Sequence, residues 1–377
     1  MSGESIPVEG TSLCLKKGVR AGGQAVIEGV MMRSPRFFSI AVRRQDGKIV
    51  LREERWRSMS ERAKSLSRPV FRGVSTLVET IVNGVQALSF SADIAAKEEE
   101  AKSKDASSDE KSEAEEPKKK QDKGLSQTAI ALTILSAFAL AIAFFVVLPH
   151  VLTLFFGRLL HWQLDVSSLA FHVIDGAIKI IILIAYIWAI SLIKDVRRVF
   201  EYHGAEHKSI FAYEKAVSLS VNSAREFGTH HPRCGTSFLL VVLIISIFLF
   251  AAVFPFFPRL SGLHFAIRQT VFMLVKIILL FPIAGISYEV IRAASKSENP
   301  LLKILVWPGV ALQRITTQEP DDSQVEIALV ALINVLMRES QSSQDFLKRK
   351  VRVFDDFSSA LKAFEEEVVG SGTHAEA

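Results

Sequence analysis

Four long apolar runs divide this chain, with charged sequence at either end. Leu125 to Leu148, Leu169 to Ile193, Thr236 to Phe256 and Ile267 to Ile291 each reach the roughly 18–20 apolar residues that cross a bilayer as a helix. The second run carries His172, Asp175 and Lys179 near its start, and the fourth carries Lys276 and Pro282. Ionisable groups inside spans turn toward protein or enclosed water. Lys276 is therefore expected to snorkel or to pair with Asp175. A transport pathway through these groups is the lesser alternative.

The periodicity changes outside the spans. Phe37 to Trp56 holds two β-prone runs around Asp46-Gly47, a hairpin signal. Gly22 to Pro35 is rich in glycine and reads as turns. Over residues 58–95, Val70, Val74, Leu77, Ile81, Val85 and Leu88 recur at helical spacing. Arg72 and Glu79 make that helix a poor span, so it should lie on the membrane or pack against a domain. Residues 97–124 are almost wholly Lys, Glu, Asp and Ser, which predicts a disordered linker. Pro300 to Val310 is apolar but too short to cross, and reads as an interfacial or re-entrant piece. Ser323 with Glu326 spells a capping box. The helix after it should bury Val325, Leu329, Leu332, Ile333 and Leu336 on one side. Phe346 to Val369 reads as another amphipathic helix, with the last eight residues frayed.

The expected fold is mainly α: a multi-pass α-helical membrane protein with about four transmembrane helices, a small N-terminal β-hairpin and C-terminal cytoplasmic helices. It divides into an N-terminal region 1–96, the linker 97–124, a membrane domain 125–291 with a loop at 194–235, and a C-terminal region 292–377.

Composition refines this reading. The 377 residues are 49% hydrophobic, with mean hydropathy +0.28, a net charge of +5 and a pI near 9.1. The excess Lys and Arg flank the apolar runs, so they orient spans and do not mark a nucleic-acid surface. Lys194, Arg197, Arg198, Lys208, Lys215, Arg225 and Arg233 lie between the second and third runs. Only Arg158 lies between the first two, and Arg259 and Arg268 between the last two. The positive-inside rule then makes both termini and the middle loop cytoplasmic, in a bacterial inner membrane. Lipids are the expected surroundings, with a protein partner on the cytoplasmic face as a further option. Met1 to Lys17 contains no secretory signal, and two distant cysteines, Cys14 and Cys234, give no disulfide framework.

The middle loop carries the chemistry. His203-Gly204-Ala205-Glu206-His207 spells H-x-x-E-H. On a helix continuing from the second span, residues four apart share a face, so both imidazoles can reach one metal ion. Glu206 would serve as general base. A catalytic zinc needs three protein ligands and an open position. His231 and Cys234, just before the third span, are the candidates to complete the set, and thiolate favours zinc. Arg233 could stabilise an anionic transition state or act only as a positive-inside anchor. Gly204 weakens the helix by about 1 kcal/mol relative to Ala.

Other polar groups are weaker candidates. Glu28 and Arg33 sit in the glycine-rich segment, which lacks a P-loop ending and most simply forms a structural turn. Asp321 and Asp322 fit a helix start, Glu289 is a remote ligand option, and Cys14 is expected to be an uninvolved thiol. His150, His161, His172 and His264 fall at span ends or on the opposite side of the membrane.

Gly22 to Pro35, Tyr202 to Lys208, His231 to Phe238 and Glu319 to Asp322 resemble the signature strings of the bacterial YqhQ-like membrane proteins. The resemblance covers about residues 18–337, interrupted by 97–124. It implies a multi-pass inner-membrane protein that carries a domain of unknown function and is labelled a metal-dependent enzyme, without an assigned reaction. Three readings stay open. One is a metal-dependent hydrolase with a cytoplasmic-facing site. Another is a non-enzymatic scaffold or assembly factor, with a structural metal or none. The third is a transporter.

Overall fold

The computed structural model describes residues 5–106, 127–162, 164–258, 260, 262–294, 297, 299–341 and 349–372. Its strands are β1 (Ser5–Pro7), β2 (Cys14–Lys16), β3 (Gly22–Val26), β4 (Gly29–Arg33), β5 (Phe37–Arg43), β6 (Ile49–Arg55) and β7 (Lys350–Phe354). Its first helices are α1 (Met59–Arg62), α2 (Phe71–Ala106), α3 (Gln127–Ile142), α4 (Leu148–Leu159), α5 (Leu169–Ser191) and α6 (Lys194–Glu214). They are followed by α7 (Val221–Arg225), α8 (Gly235–Val253), α9 (Phe265–Ala294), α10 (Pro300–Thr316), α11 (Asp322–Gln341) and α12 (Phe357–Gly372).

Asp46-Gly47 turns β5 into β6 as expected, with Gly47 at φ 86°. The hairpin is not isolated, however. It is the middle of a five-stranded antiparallel sheet in the order β3-β4-β5-β6-β7. The segment read as turns supplies β3 and β4, joined through Ile27-Glu28 with Glu28 at φ 52°. The fifth strand comes from the far end of the chain, where Val50 sits opposite Val353. The expected helix from Phe346 therefore splits. Residues 342–348 lie outside the described residues, and β7 and α12 follow.

One face of the sheet packs on α11. Gln324, Val325 and every residue from Ile327 to Arg338 of this helix are buried. A one-sided apolar stripe was expected, but the sheet, α6 and α12 enclose the helix all round, which suits a helix apolar on every face. Its start also differs by two residues. Asp321 Oδ1 accepts from Gln324 N, and Gln324 Oε1 accepts from Asp321 N, both at 2.9 Å. The reciprocal cap is thus Asp321 with Gln324. Glu326 instead pairs with Arg43 at 2.6 Å.

The other face of the sheet packs on α2, where Ala87 joins Val26, Met31, Phe38 and Ile40 in a second apolar cluster. This helix continues to Ala106, so the expected linker is helical over residues 97–106. Glu98 anchors there to Arg44 at 3.1 Å, and Lys and Glu are good helix formers. Residues 107–124 lie outside the described residues, as do 373–377 of the tail expected to fray.

Among the described residues, four helical stretches are long and apolar enough to cross a membrane: Leu135–Leu159, Leu169–Ser191, Gly235–Phe256 and Phe265–Ala294. The first runs past the expected end at Leu148. Pro149 would ordinarily disturb the i→i−4 ladder. Here Ala143–Val147 widens into a π turn, and Pro149 takes the first turn of α4. Lys276 pairs with Asp175 rather than snorkelling. Asp175 Oδ2 accepts from Lys179 Nζ at 2.6 Å and Lys276 Nζ at 3.1 Å. Lys276 also meets His150 Nδ1 at 3.1 Å, and His150 Nε2 meets Gln269 Oε1 at 2.9 Å.

Candidate metal centre

The chain breaks its helix at Leu192-Ile193, and α6 starts afresh at Lys194. α6 runs through Gly204 without interruption. A Cβ on Gly204 would lie 2.0 Å from the Gln318 carbonyl oxygen. The glycine therefore admits the 317–318 backbone against the helix, where Gln318 N donates to the Phe200 carbonyl at 2.9 Å. Its cost in helix propensity is offset by this contact.

His203, His207 and Cys234 each offer a ligand atom, and these atoms lie within 4.8 Å of one another. The His rings are 4.4 Å apart between centroids. His203 Nδ1 lies 2.8 Å from the Thr316 carbonyl oxygen, and His207 Nδ1 faces the Thr229 carbonyl oxygen. A carbonyl only accepts, so each Nδ1 carries the proton and each Nε2 keeps its lone pair. His203 Nε2 is 3.2 Å from Cys234 Sγ. Cys234 is the N-cap of α8, and Thr236 N donates to its sulfur at 3.4 Å. Backbone carbonyls behind imidazole ligands, and a thiol at a helix N-terminus, are features of metal-binding and thiolate chemistry. Burial holds His207 below the usual imidazole range, so it is neutral and able to ligate.

The remaining expected residues take other positions. His231 is adjacent, with its ring 5.6 Å from that of His207. Its Nδ1 accepts from Arg233 N at 3.2 Å and its Nε2 faces Glu214 Oε2 at 3.4 Å. Burial pushes its pKa down to about 4, against the pull of Glu206. Arg233 is ion-paired with Glu214. Glu206 is buried, and its Oε1 accepts from Gly23 N of β3 at 3.0 Å. Its Oε2 has no hydrogen-bond partner among the described residues, and burial raises its pKa despite nearby His203, Gly23 N–H and His231.

Glu28 and Arg33 serve the fold. Glu28 Oε2 accepts from Arg198 Nη2 at 2.7 Å and Tyr202 OH at 3.3 Å, which fastens the β3–β4 turn to α6. Arg33 lies 3.9 Å from Glu79 and over the Trp56 ring. Glu289 pairs with Arg72, and Asp322 with Arg225.

Sequence reasoning missed the supporting groups. Gln313 of α10 is buried and bonds both the N–H and the carbonyl of His231, at 2.7 and 2.8 Å, and Ser237 Oγ at 3.0 Å. α10 is thus a full helix packed along α8, and its last residue, Thr316, supplies the carbonyl behind His203. Carbonyl ligands leave no mark in sequence, but a Gln in an apolar helix was a visible signal.

Residues 68–338 match the family described as a protein of unknown function (DUF1385). The uncharacterized protein YqhQ of Bacillus subtilis (strain 168) is 32% identical over 333 residues, covering 86% of this chain and 94% of that protein. No solved structure matches. The chain belongs to the DUF1385 family of uncharacterized proteins, and within it carries a His/His/Cys group able to hold a metal ion.

Proposed function

We propose that this is a multi-pass bacterial inner-membrane protein, with its termini and sheet domain in the cytoplasm, that works as a metal-dependent hydrolase. His203, His207 and Cys234 would hold a divalent transition metal, most simply zinc. The observation that carries this reading is the approach of the three ligand atoms within 4.8 Å, with both Nδ1 nitrogens already engaged by carbonyls. Three protein ligands are the number expected of a catalytic zinc, whereas a structural site uses four. His231 has both ring nitrogens occupied by Arg233 N and Glu214, which supports the open set over a closed one.

A metal at this position supplies Lewis acidity to a carbonyl or phosphoryl oxygen. Burial raises the pKa of Glu206, whose Oε2 has no hydrogen-bond partner among the described residues, a shift in the direction that suits a general base working near neutral pH. Gly23 N fixes the other oxygen, so the carboxyl presents one edge. Arg233 stays close by, paired with Glu214.

Cobalt substitution tests this reading. The purified protein loaded with Co²⁺ should show a thiolate-to-metal charge-transfer band. Cys234→Ser should lose the band, and His231→Ala and Glu206→Gln should keep it. A band lost in His231→Ala would favour a closed, structural site and the scaffold reading.

A further inference from the structure

The polarity of α2 is inverted. The residues it turns inward are Ser75, Glu79, Asn83, Ala87 and Ser91, four apart, and all are buried. Glu79 meets Ser58 Oγ at 2.8 Å and Arg33 at 3.9 Å. Phe71, Val78, Ile81, Val82 and Leu88 are turned outward, between 41% and 61% exposed, and Gln86 is exposed among them. A helix on a domain in water shows the opposite arrangement, with its polar side outward. Apolar patches this long mark an interaction surface.

The start of the stripe adjoins the fourth apolar helix. A Cβ on Gly73 would lie 2.9 Å from Gly285 Cα, so the two backbones touch where α2 meets α9. One turn further along α9, Glu289 accepts from Arg72 Nε at 2.6 Å. α9 has its own outward row, Leu274, Ile278 and Phe281, each more than half exposed. Phe71, 61% exposed, begins the outward row of α2 beside the C-terminal part of α9. Arg68 is exposed just before Phe71, a cation of the kind that attracts anionic headgroups.

We propose that the first five turns of α2 lie in the membrane interface, with Phe71, Val78, Ile81, Val82 and Leu88 in the headgroup and acyl-chain boundary of the leaflet that holds the C-terminal end of α9. α2 then seats the sheet domain on the bilayer, since its other face carries the sheet. Interfacial helices bury an apolar face about 5–10 Å into that boundary. The inference rests on the bilayer placement of the four spans and is independent of the metal centre.

Photo-crosslinking in intact membranes tests it. Benzoylphenylalanine is placed singly at Ile81, at Ile278 on the outer face of α9, and at Glu99, exposed near the far end of α2. The expected result is phospholipid adducts at Ile81 and Ile278, several-fold above those at Glu99, with the chain at monomer mass. A chain–chain dimer from Ile81, an adduct to another protein, or lipid capture no greater than at Glu99 overturns the proposal. Loss of lipid capture at Ile278 as well would overturn the bilayer placement itself, and this inference with it.

Discussion

His203 Nδ1 lies 2.8 Å from the carbonyl oxygen of Thr316, the last residue of α10. That contact sets the tautomer of His203 and aims Nε2 at Cys234. It also makes the candidate centre depend on a helix more than a hundred residues downstream.

Gln313 should therefore matter to metal affinity without touching the ligands. Gln313→Ala would leave the N–H of His231 unpaired, at about 1–3 kcal/mol for a buried group, and would leave its carbonyl with the Cys234 N–H at 3.2 Å. It also frees α10 from Ser237. Because α10 also carries the Thr316 carbonyl behind His203, its displacement should lower affinity toward the about 10–100-fold typical of changes behind a metal ligand. A competition titration with a chelator should show a loss in that range with the fold retained. Unchanged affinity would contradict the role given to α10.

Gly204→Ala sets two effects in opposition. Alanine favours the helix by about 1 kcal/mol. Its Cβ, however, meets a backbone oxygen at 2.0 Å, and overpacking costs about 1–3 kcal/mol or more. The clash should win, because backbone yields less than a side chain. Thermal unfolding in detergent should show a lower midpoint, and metal should bind more weakly. A raised midpoint would mean that the 317–318 segment does not approach α6 as described.

Asp175 pairs with two lysines, so its loss should hurt more than the loss of either. Asp175→Asn leaves Lys179 and Lys276 facing each other without a counter-charge. Lys276→Met leaves the Asp175–Lys179 pair at 2.6 Å intact. An uncompensated buried charge costs about 3–5 kcal/mol. Comparing the thermal midpoints of the two variants checks this, and equal destabilisation would contradict it.

Acid should loosen the C-terminal segment first. The Asp356 carboxylate is held below its ordinary range by hydrogen bonds from Ser359, and that of Glu365 by Ser12. For Glu367, burial acts upward, but the Arg338 hydrogen bond and charge, with Arg352, leave it lowered overall. Groups with lowered folded pKa stabilise above their unfolded value of about 4. That contribution disappears as pH falls through the folded values. Protection from hydrogen exchange, relative to the intrinsic rate at each pH, should fall across β7 and α12 below about pH 4 before it does in α11. Uniform exchange across both would argue against this local linkage.

Part of this structure was legible in the sequence because its causes are local. The four apolar runs, the Asp46-Gly47 turn and the helix bearing His203 and His207 all follow from periodicity and turn chemistry. The β6–β7 pairing joins residues some three hundred positions apart, and no local pattern encodes it. The burial of α11 on all sides had a signal, since Ile327 to Met337 contains no charged residue. That signal was masked by the charged residues at both ends. At the centre, His203, His207 and Cys234 were readable from residue type and spacing. The separate engagement of His231 was not, because it depends on Glu214 and Arg233 N in the folded chain. Residues 97–106 misled because helix-forming Lys and Glu also compose disordered sequence.

Elemental analysis of the detergent-purified protein, wild type beside the His203→Ala, His207→Ala double variant, tests the central claim most directly. The account predicts close to one transition-metal ion per wild-type chain, most simply zinc, and its loss in a double variant that still folds. A well-folded wild type that holds no metal and takes none up on addition would contradict it.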